Sequence, residues 1–201
     1  KMSAERIYNI DQARATFDVE GVDVSAEAVR FARETLGLRV HQGELDEVPL
    51  AGRYDVVCLW ETLEHVTEPA EVVARVAALL EEQGTLFLTV PDIGSLVARL
   101  QGRRWRQIHP PTHLNYFSPQ TMRRLLARMG LTVLGIQHVG AHREVTNMLH
   151  GLSLFSKQPL VQRGAQLLLQ RTRAFWGHAS CYVNLFDMMF VAARKTGQQS
   201  T

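Results

Sequence analysis

A short apolar strand that ends abruptly in a polar, helix-starting cluster is the feature that most constrains this chain. Residues 54–60 (YDVVCLW) form the strand-like run, and residues 61–66 (ETLEHV) follow it. An earlier strand-like segment ends in the same way at Asp23. Parallel strands bring their carboxyl ends to one edge of a sheet, where nucleotide-type ligands bind in a crevice. The two edges therefore predict a binding crevice.

Strand and helix signals alternate along most of the chain, which favours a parallel sheet covered by helices. The predicted helices begin at good N-caps or at proline and end near glycine; they are Ala26–Leu36, Pro69–Glu82 and Pro119–Met129. The predicted strands are Leu38–Gln42, a buried Arg53–Trp60, Thr85–Val90, Leu131–Gln137 and Asn184–Arg194. Between the last two strands, His142–Tyr182 is mostly helical in pattern.

Length and composition bound the class of protein. The chain has 201 residues, of which 46% are hydrophobic and 21% are charged, as in soluble single domains. A net charge of +2 is too small to indicate nucleic acid as a partner. No apolar run approaches a membrane span, so stable membrane insertion is not expected. We expect Cys58 and Cys181 to be buried free thiols in a reducing cytoplasm.

Several ordered segments resemble the S-adenosylmethionine-dependent methyltransferases of the Rossmann-like class, in particular the ubiquinone-biosynthesis-type subgroup. They are the strand ending at Asp23, the loop Gly43–Pro49, the segment Leu63–Val66 and the segment His113–Ser118. The resemblance implies a three-layer α/β sheet, mostly parallel, with an antiparallel final strand. It also implies one methyltransferase domain over residues 1–201. The helical pattern of the tail suits a lid over an apolar acceptor at about 141–182, and a helix packed on the core and a dimer contact are the alternatives.

The resemblance implies a set of cofactor-binding residues. Asp23, with Val24 beside it, would hold the ribose hydroxyls, although an N-cap role and a nicotinamide cofactor are alternatives for Asp23. Glu44 and the N–H of Leu45 would face the adenine ring, unless the loop is only a solvated acidic turn. Trp60 and Glu61 would pass the methionine part, where an aromatic ring favours a sulfonium; a core role for Trp60 is equally open.

The histidines His65, His109 and His113 are the candidate catalytic residues, because an imidazole can deprotonate a hydroxyl near neutral pH. Each could instead hold its loop by hydrogen bonds. No spacing indicates a closed metal site, so no metal is predicted. Three arginines around Trp105 could bind a phosphate or carboxylate of the substrate, or form a solvated surface; they are Arg103, Arg104 and Arg106.

One part of the family pattern is missing. The family carries a glycine-rich loop after its first strand, and this chain has no glycine before Gly21. Met2–Tyr8 reads as a helix, and the residues from Ile10 to Ala15 read as the end of the helix that follows such a loop. We expect a stretch that carries the loop to be missing between about Tyr8 and Asp11. The rival interpretation is a degenerate relative that does not bind the cofactor.

These observations predict an enzyme that methylates a small-molecule acceptor with S-adenosylmethionine, most simply at oxygen. A nicotinamide-dependent oxidoreductase and a non-catalytic Rossmann-like binding module are the alternatives. The expected partner is the small-molecule acceptor and not nucleic acid, and a homodimer is a further alternative. The expected location is the cytoplasm.

Overall fold

A computed structural model of the chain describes residues 10–50, 52–144 and 180–196, with the single positions 160, 163, 164 and 167. In chain order the elements are β1 Gly21–Asp23, α1 Ala26–Glu34, β2 Val40–Gln42, β3 Tyr54–Trp60, α2 Pro69–Leu79, β4 Leu80–Pro91, α3 Leu96–Gln101, α4 Pro119–Arg128, β5 Leu131–His138, β6 Ala141–Glu144, β7 Ser180–Val183 and β8 Met188–Lys195. A short 3₁₀ turn, Gly102–Arg104, follows α3.

The main sheet has four strands in the order β3-β4-β8-β5. Strand β3 pairs parallel with β4, and β8 pairs antiparallel with both β4 and β5. Strands β3, β4 and β5 therefore run in one direction, and β8 alone runs against them. The expected antiparallel final strand is confirmed. Strands β1 and β2 form a separate parallel pair.

The main core lies under one face of the four-stranded sheet. In β4, Leu86, Leu88 and Val90 are fully buried, and the residues between them are half-buried on the other face, as the two-residue period of a strand requires. Helices α2 and α4 cover the buried face, because Val76 of α2 and Leu126 of α4 belong to the same cluster of buried side chains.

The helix starts follow from local chemistry. The Ser25 side chain caps α1 by accepting a bond from the Ala28 N–H at 3.3 Å. Ser118 caps α4 in a capping box completed by Thr121, with Pro119 at the first helical position. Beyond α4, Gly130 has φ +72°, a conformation that favours glycine. These predicted boundaries are confirmed within about two residues.

A smaller cluster packs α1 against β1 and β2. Val29, Ala32 and Val40 are its buried members, and Ile10 packs on them. Residues 10–13 are helical, which agrees with the prediction for the start of this segment. A Cβ added to Gly21 would lie 2.9 Å from Cδ1 of Ile10, so this helical turn packs closely on β1.

The predicted end of α2 is wrong. The helix was expected to reach Glu82, but it ends at Leu79, and β4 begins at Leu80. Leu80 pairs with Tyr54 of β3, so a strand contact far along the chain overrides the local helical pattern. The chain then turns through Gln83, whose φ is +68°.

The prediction that β3 is buried throughout is also wrong. Val57 and Leu59 pack on the main core, but Val56 is 47% exposed and Cys58 is an exposed free thiol. Strand β3 pairs with β4 on one edge, and no described strand pairs with its other edge. Val56 and Cys58 lie on the face opposite Val57 and Leu59, and the described residues leave that face partly exposed. The side chain of Cys181 lies outside the described residues.

The helical prediction for His142–Tyr182 is wrong at both ends. Strand β6 begins at Ala141 and pairs antiparallel with β7, so that Ala141 faces Val183 and Glu144 faces Ser180. Tyrosine and valine in β7 favour strand, and the pairing partner lies too far away in sequence for a local pattern to show it. Positions 160, 163, 164 and 167 are helical, and the rest of the predicted lid lies outside the described residues, as does Met2–Tyr8.

None of the helices that the structure describes has the length and apolar character needed to cross a bilayer.

The core assignment predicts a large difference between two leucines. Replacing Leu88, fully buried in β4, with alanine should lower the free energy of unfolding by about 2–5 kcal/mol, because it leaves a cavity. Replacing Leu134 of β5, which is 53% exposed, should change it by less than about 0.5 kcal/mol. Urea denaturation followed by tryptophan fluorescence measures both, and equal effects would contradict the assignment.

Candidate functional site

The carboxyl ends of the parallel strands form one rim of the main sheet. Strands β3, β4 and β5 end there at Trp60, Pro91 and His138, and β8 begins there at Met188. Strands β1 and β2 end at Asp23 and Gln42, next to the loop that was predicted to bind adenine. Ligands of open α/β sheets bind beyond such strand ends. Most of the predicted site residues lie in the loops that leave this rim.

Asp23 ends β1 and is partly buried. Its Oδ1 accepts a 2.7 Å bond from the N–H of Ser25, while the cap of α1 itself is the Ser25 side chain. The described residues provide no hydrogen-bond partner for Oδ2 of Asp23. The capping alternative therefore accounts for one oxygen only, and the second can accept bonds from ribose hydroxyls. Val24 follows and is 60% exposed.

The loop after β2 lies against β1. The Gly43 N–H donates to the Asp23 carbonyl at 3.2 Å, and Gly43 has φ +144°, which favours glycine. Glu44 is exposed, and its N–H approaches the Glu47 carboxylate at 3.4 Å. The Leu45 side chain packs on the main core, which anchors the loop.

Trp60 and Glu61 lie where β3 leaves the sheet. The Trp60 ring is half-buried and stacks on Phe190 of β8, with centroids 6.2 Å apart and planes 20° apart. Glu61 has φ +47°, a left-handed conformation that is strained for a residue with a side chain. Its N–H donates to the Thr89 carbonyl at 2.9 Å, which holds the strained turn against β4. Strain of this kind clusters at binding sites.

The fold brings together the three candidate histidines, and we call them the histidine cluster: His65, His109 and His113. The His113 ring centroid lies 4.7 Å from that of His65 and 4.0 Å from that of His109. His113 is 7% exposed, whereas His65 and His109 are exposed. Any substrate would therefore meet His65 or His109, with His113 behind them.

The hydrogen bonds of the cluster determine where each ring carries its proton. Nδ1 of His65 bonds the Thr112 carbonyl at 2.7 Å, and Nδ1 of His113 bonds the Gln107 carbonyl at 2.8 Å. Carbonyls only accept, so both rings carry hydrogen on Nδ1. Nδ1 of His109 bonds Oγ1 of Thr112 at 2.6 Å, and that hydroxyl donates to the His109 carbonyl. In neutral rings, Nε2 is therefore the basic nitrogen of all three.

Burial keeps His113 neutral. It lowers the pKa of His113 from its usual value, and charge repulsion from His109 and His65 lowers it further, against a smaller opposite effect of the Gln107 carbonyl. Because His113 is neutral, it places no positive charge beside His65 and His109. The arrangement suits proton acceptance by an exposed ring.

Asn115 joins the two signature segments. Its side-chain amide donates to the Val66 carbonyl at 2.6 Å, and its backbone N–H donates to the Glu64 carbonyl at 3.1 Å. The Leu114 N–H donates to the same Glu64 carbonyl at 2.7 Å. The sequence analysis assigned no role to Asn115, since its partners lie about fifty residues earlier in the chain.

The three arginines around Trp105 differ in their contacts. Arg106 is committed to the buried carboxylate of Asp187, with Nη2–Oδ1 at 2.8 Å and Nε–Oδ2 at 3.1 Å. Two of its guanidinium nitrogens are therefore engaged by Asp187, a contact that neither alternative predicted. Arg103 and Arg104 are exposed and line a shallow surface depression with Leu100, so substrate binding and a solvated surface stay open for them.

A second buried carboxylate lies at the end of β4. Asp92 is 2% exposed; its Oδ1 accepts from the Gly94 N–H at 2.8 Å, and its Oδ2 lies 2.8 Å from Nε2 of His138. This pair was also missed, because β4 and β5 become neighbours of β8 only in the folded sheet.

The sequence predicted no metal, yet three residues with metal-binding side chains, one carboxylate and two imidazoles, converge beside the rim. One ligand atom each of Glu64, His65 and His113 lies within 4.8 Å of the others. Carboxylate and imidazole both bind divalent cations. The residues come from two separate loops, so no spacing along the chain could show this arrangement.

The missing glycine-rich loop remains a prediction. Residues 1–9 lie outside the described ones, so the junction between Tyr8 and Asp11 is not tested. Strands β1 and β3 are not paired with each other. The described residues provide no strand that joins them. The Tyr54 hydroxyl of β3 donates to the Glu20 carboxylate before β1, which links the two sheets.

Several solved methyltransferase structures are similar to this one. A chain of the Haloferax volcanii complex that contains the Trm112 methyltransferase activator covers 96% of this chain, with 79% of its own length, at TM-score 0.65 and 18% identity. A SAM-dependent methyltransferase from Archaeoglobus fulgidus covers 93%, with 80% of its own length, at TM-score 0.58 and 14% identity. These TM-scores establish the Rossmann-like α/β fold.

Curated relatives are similar over part of the chain. The ubiquinone biosynthesis O-methyltransferase of Methylococcus capsulatus is 29% identical over 151 residues, which are 69% of this chain and 63% of that protein. The corresponding protein of Ralstonia nicotianae is 37% identical over 90 residues, which are 41% of this chain and 38% of that protein. The chain thus spans less than two thirds of these relatives.

The sequence profile of one family matches more than half of the chain. Its description is "Methyltransferase domain", and the match covers residues 7–136, from before β1 to within β5. This range contains Asp23, the loop after β2 and all three members of the histidine cluster. The chain therefore belongs to the methyltransferase domain family.

Proposed function

We propose that the protein transfers a methyl group from S-adenosylmethionine to a hydroxyl oxygen of a small molecule. The observation that carries the proposal is the Asp23 carboxylate at the end of β1, with one oxygen engaged by Ser25 and the other available. The names of the curated relatives, which are O-methyltransferases, support oxygen as the attacked atom.

The cofactor half of the site consists of the loops after β1, β2 and β3. Asp23 accepts bonds from the ribose hydroxyls, with Val24 beside them. Glu44 and the Leu45 N–H face the adenine ring, while Trp60 and Glu61 lie along the methionine part. Charge-assisted bonds to a carboxylate contribute about 1.5–3 kcal/mol each, so Asp23 contributes much of the affinity for the nucleoside.

The acceptor half is the histidine cluster. Bound S-adenosylmethionine supplies a methyl group on a sulfonium, which the acceptor oxygen attacks while the carbon–sulfur bond breaks and S-adenosylhomocysteine forms. The acceptor proton moves to Nε2 of His65 or His109, the exposed rings with a basic nitrogen on that side. The protein contributes position and desolvation, since the methyl donor is already activated.

The alternatives are less well supported. A nicotinamide-dependent oxidoreductase would also use Asp23, but it would not explain the family match or the histidine cluster. A non-catalytic module stays open to the extent that the glycine-rich loop is absent. The helical lid at 141–182, a single domain over 1–201, the cytoplasmic location and a homodimer stay predictions.

Removing the charge of Asp23 tests the cofactor. In Asp23→Asn the amide oxygen can still accept the Ser25 N–H, so α1 stays intact while the charged acceptor is lost. Affinity for S-adenosylhomocysteine should fall about 10- to 100-fold in isothermal titration calorimetry. Glu34→Gln, at the exposed end of α1, is the control and should bind as the wild type does. Tight binding of NAD in place of the nucleoside would reject the proposal.

Removing the exposed imidazoles tests the acceptor half. If His65 or His109 accepts the proton, replacing that residue with glutamine should lower kcat about 10²- to 10⁴-fold. Affinity for S-adenosylhomocysteine should stay unchanged, because both imidazoles bond Thr112 and not the residues assigned to the cofactor. Thr112→Val removes the hydroxyl that bonds His109 and should also lower kcat. Thr112→Ser keeps this hydroxyl and is the control for Thr112→Val. Full kcat in both glutamine variants would show that neither imidazole is the base.

A further inference from the structure

We propose that Asp187 is a positioning residue: with Trp105 and Arg106 it forms a latch that sets the orientation and tautomer of His113. We call residues 105–113 the histidine loop. The contribution of the latch to catalysis rests on the proposed function, whereas its effect on His113 does not.

The latch is a buried carboxylate with three donors. Asp187 is 1% exposed and directly precedes β8. Its Oδ2 accepts from Nε1 of Trp105 at 3.0 Å and from Nε of Arg106 at 3.1 Å. Its Oδ1 accepts from Nη2 of Arg106 at 2.8 Å. The planar guanidinium matches both carboxylate oxygens, a geometry that a lysine cannot reproduce.

The donors outweigh the cost of burying the charge. Burial alone would raise the pKa of Asp187, but the hydrogen bonds from Arg106 and Trp105 lower that pKa below its usual value. The carboxylate is therefore ionised at neutral pH and keeps its full attraction for Arg106. Trp105, itself 1% exposed, closes the buried side of the latch, while Arg106 remains partly accessible.

The latch holds the start of β8 against the rim. The backbone carbonyl of Asp187 accepts from the Asp92 N–H at 2.9 Å, which ties it to the end of β4. Met188 follows in β8 and pairs with Pro91. Asp187 is thus fixed by two strands, and the histidine loop is attached to a rigid point rather than to another loop.

Gln107 transmits the constraint to His113. It directly follows Arg106, and its side-chain amide lies 3.4 Å from Sδ of Met188. Its carbonyl accepts the 2.8 Å bond from Nδ1 of His113. A ring that faces a fixed carbonyl must keep its hydrogen on Nδ1, so the carbonyl sets the tautomer. The rings of His65 and His109 pack on His113, so its position also affects theirs.

The test compares histidine tautomers in latch variants of the full chain. In ¹⁵N-histidine NMR spectra, the wild-type His113 should show the Nδ1–H tautomer, with its signals assigned by their loss in His113→Gln. Arg106→Gln and Trp105→Phe should give His113 a mixture of both tautomers, while Arg106→Lys, which keeps one charged donor, should be intermediate. Arg124→Gln, on the exposed side of α4, is the matched control and should give the wild-type spectrum.

The same variants separate the latch from the proposed function. With an accepted hydroxyl substrate, Arg106→Gln should lower kcat about 10- to 100-fold, since small misplacements of a catalytic group have effects of this size. Its affinity for S-adenosylhomocysteine should change less than about twofold, because the cofactor loops do not touch the latch. Asp187→Asn should act like Arg106→Gln; where it fails to fold, the Arg106 and Trp105 variants remain as the test.

A pure Nδ1–H tautomer of His113 in folded Arg106→Gln and Trp105→Phe would overturn the proposal. A tautomer shift in these variants, together with no methyl transfer by the wild type, would support the latch and reject the proposed function instead.

Discussion

The antiparallel placement of β8 between β4 and β5 is the constraint on which the rest of the structure depends. Because β8 begins where β4 and β5 end, the residue before it must lie on the rim that carries the site. That residue is Asp187, and it is buried. A parallel strand in the same position would begin at the opposite edge of the sheet. The antiparallel direction of β8 therefore places the Asp187 carboxylate where it can bond the histidine loop.

Much of the fold was accessible from local sequence. Ser25 and Ser118 are good N-caps, and Gly130 follows α4 in a conformation that favours glycine, so helix positions follow from the backbone chemistry of a few residues. The wrong helix boundaries share one cause. Leu80 became strand because it pairs with Tyr54, and the ends of the predicted lid became strands because they pair with each other. Pairing between distant segments has no local signature.

The site residues that were predicted differ from those that were missed in a similar way. Asp23, Glu44 and the members of the histidine cluster were predicted because each belongs to a short sequence segment that resembles the family. Asp187 and Asn115 were missed because their partners lie far away in the chain: Asp187 bonds residues about eighty positions earlier. For Trp60 both predicted roles, a core side chain and a contact of the sulfonium, stay open. The ring stacks on Phe190, which fixes its plane, and a fixed half-buried ring at a strand end suits either a core or a sulfonium.

The two halves of the rim differ in how they are held. The cofactor half relies on one strand pair, β1 and β2, beside an unpaired edge of β3, and on a loop anchored by Leu45. The acceptor half is held by Asn115, by Thr112 between His65 and His109, and by Asp187. Methyl transfer needs little from a base beyond correct placement, because the donor carries its own activation. The hydrogen bonds of Thr112 and Asn115 therefore organise the proposed acceptor side within the described residues before any ligand binds.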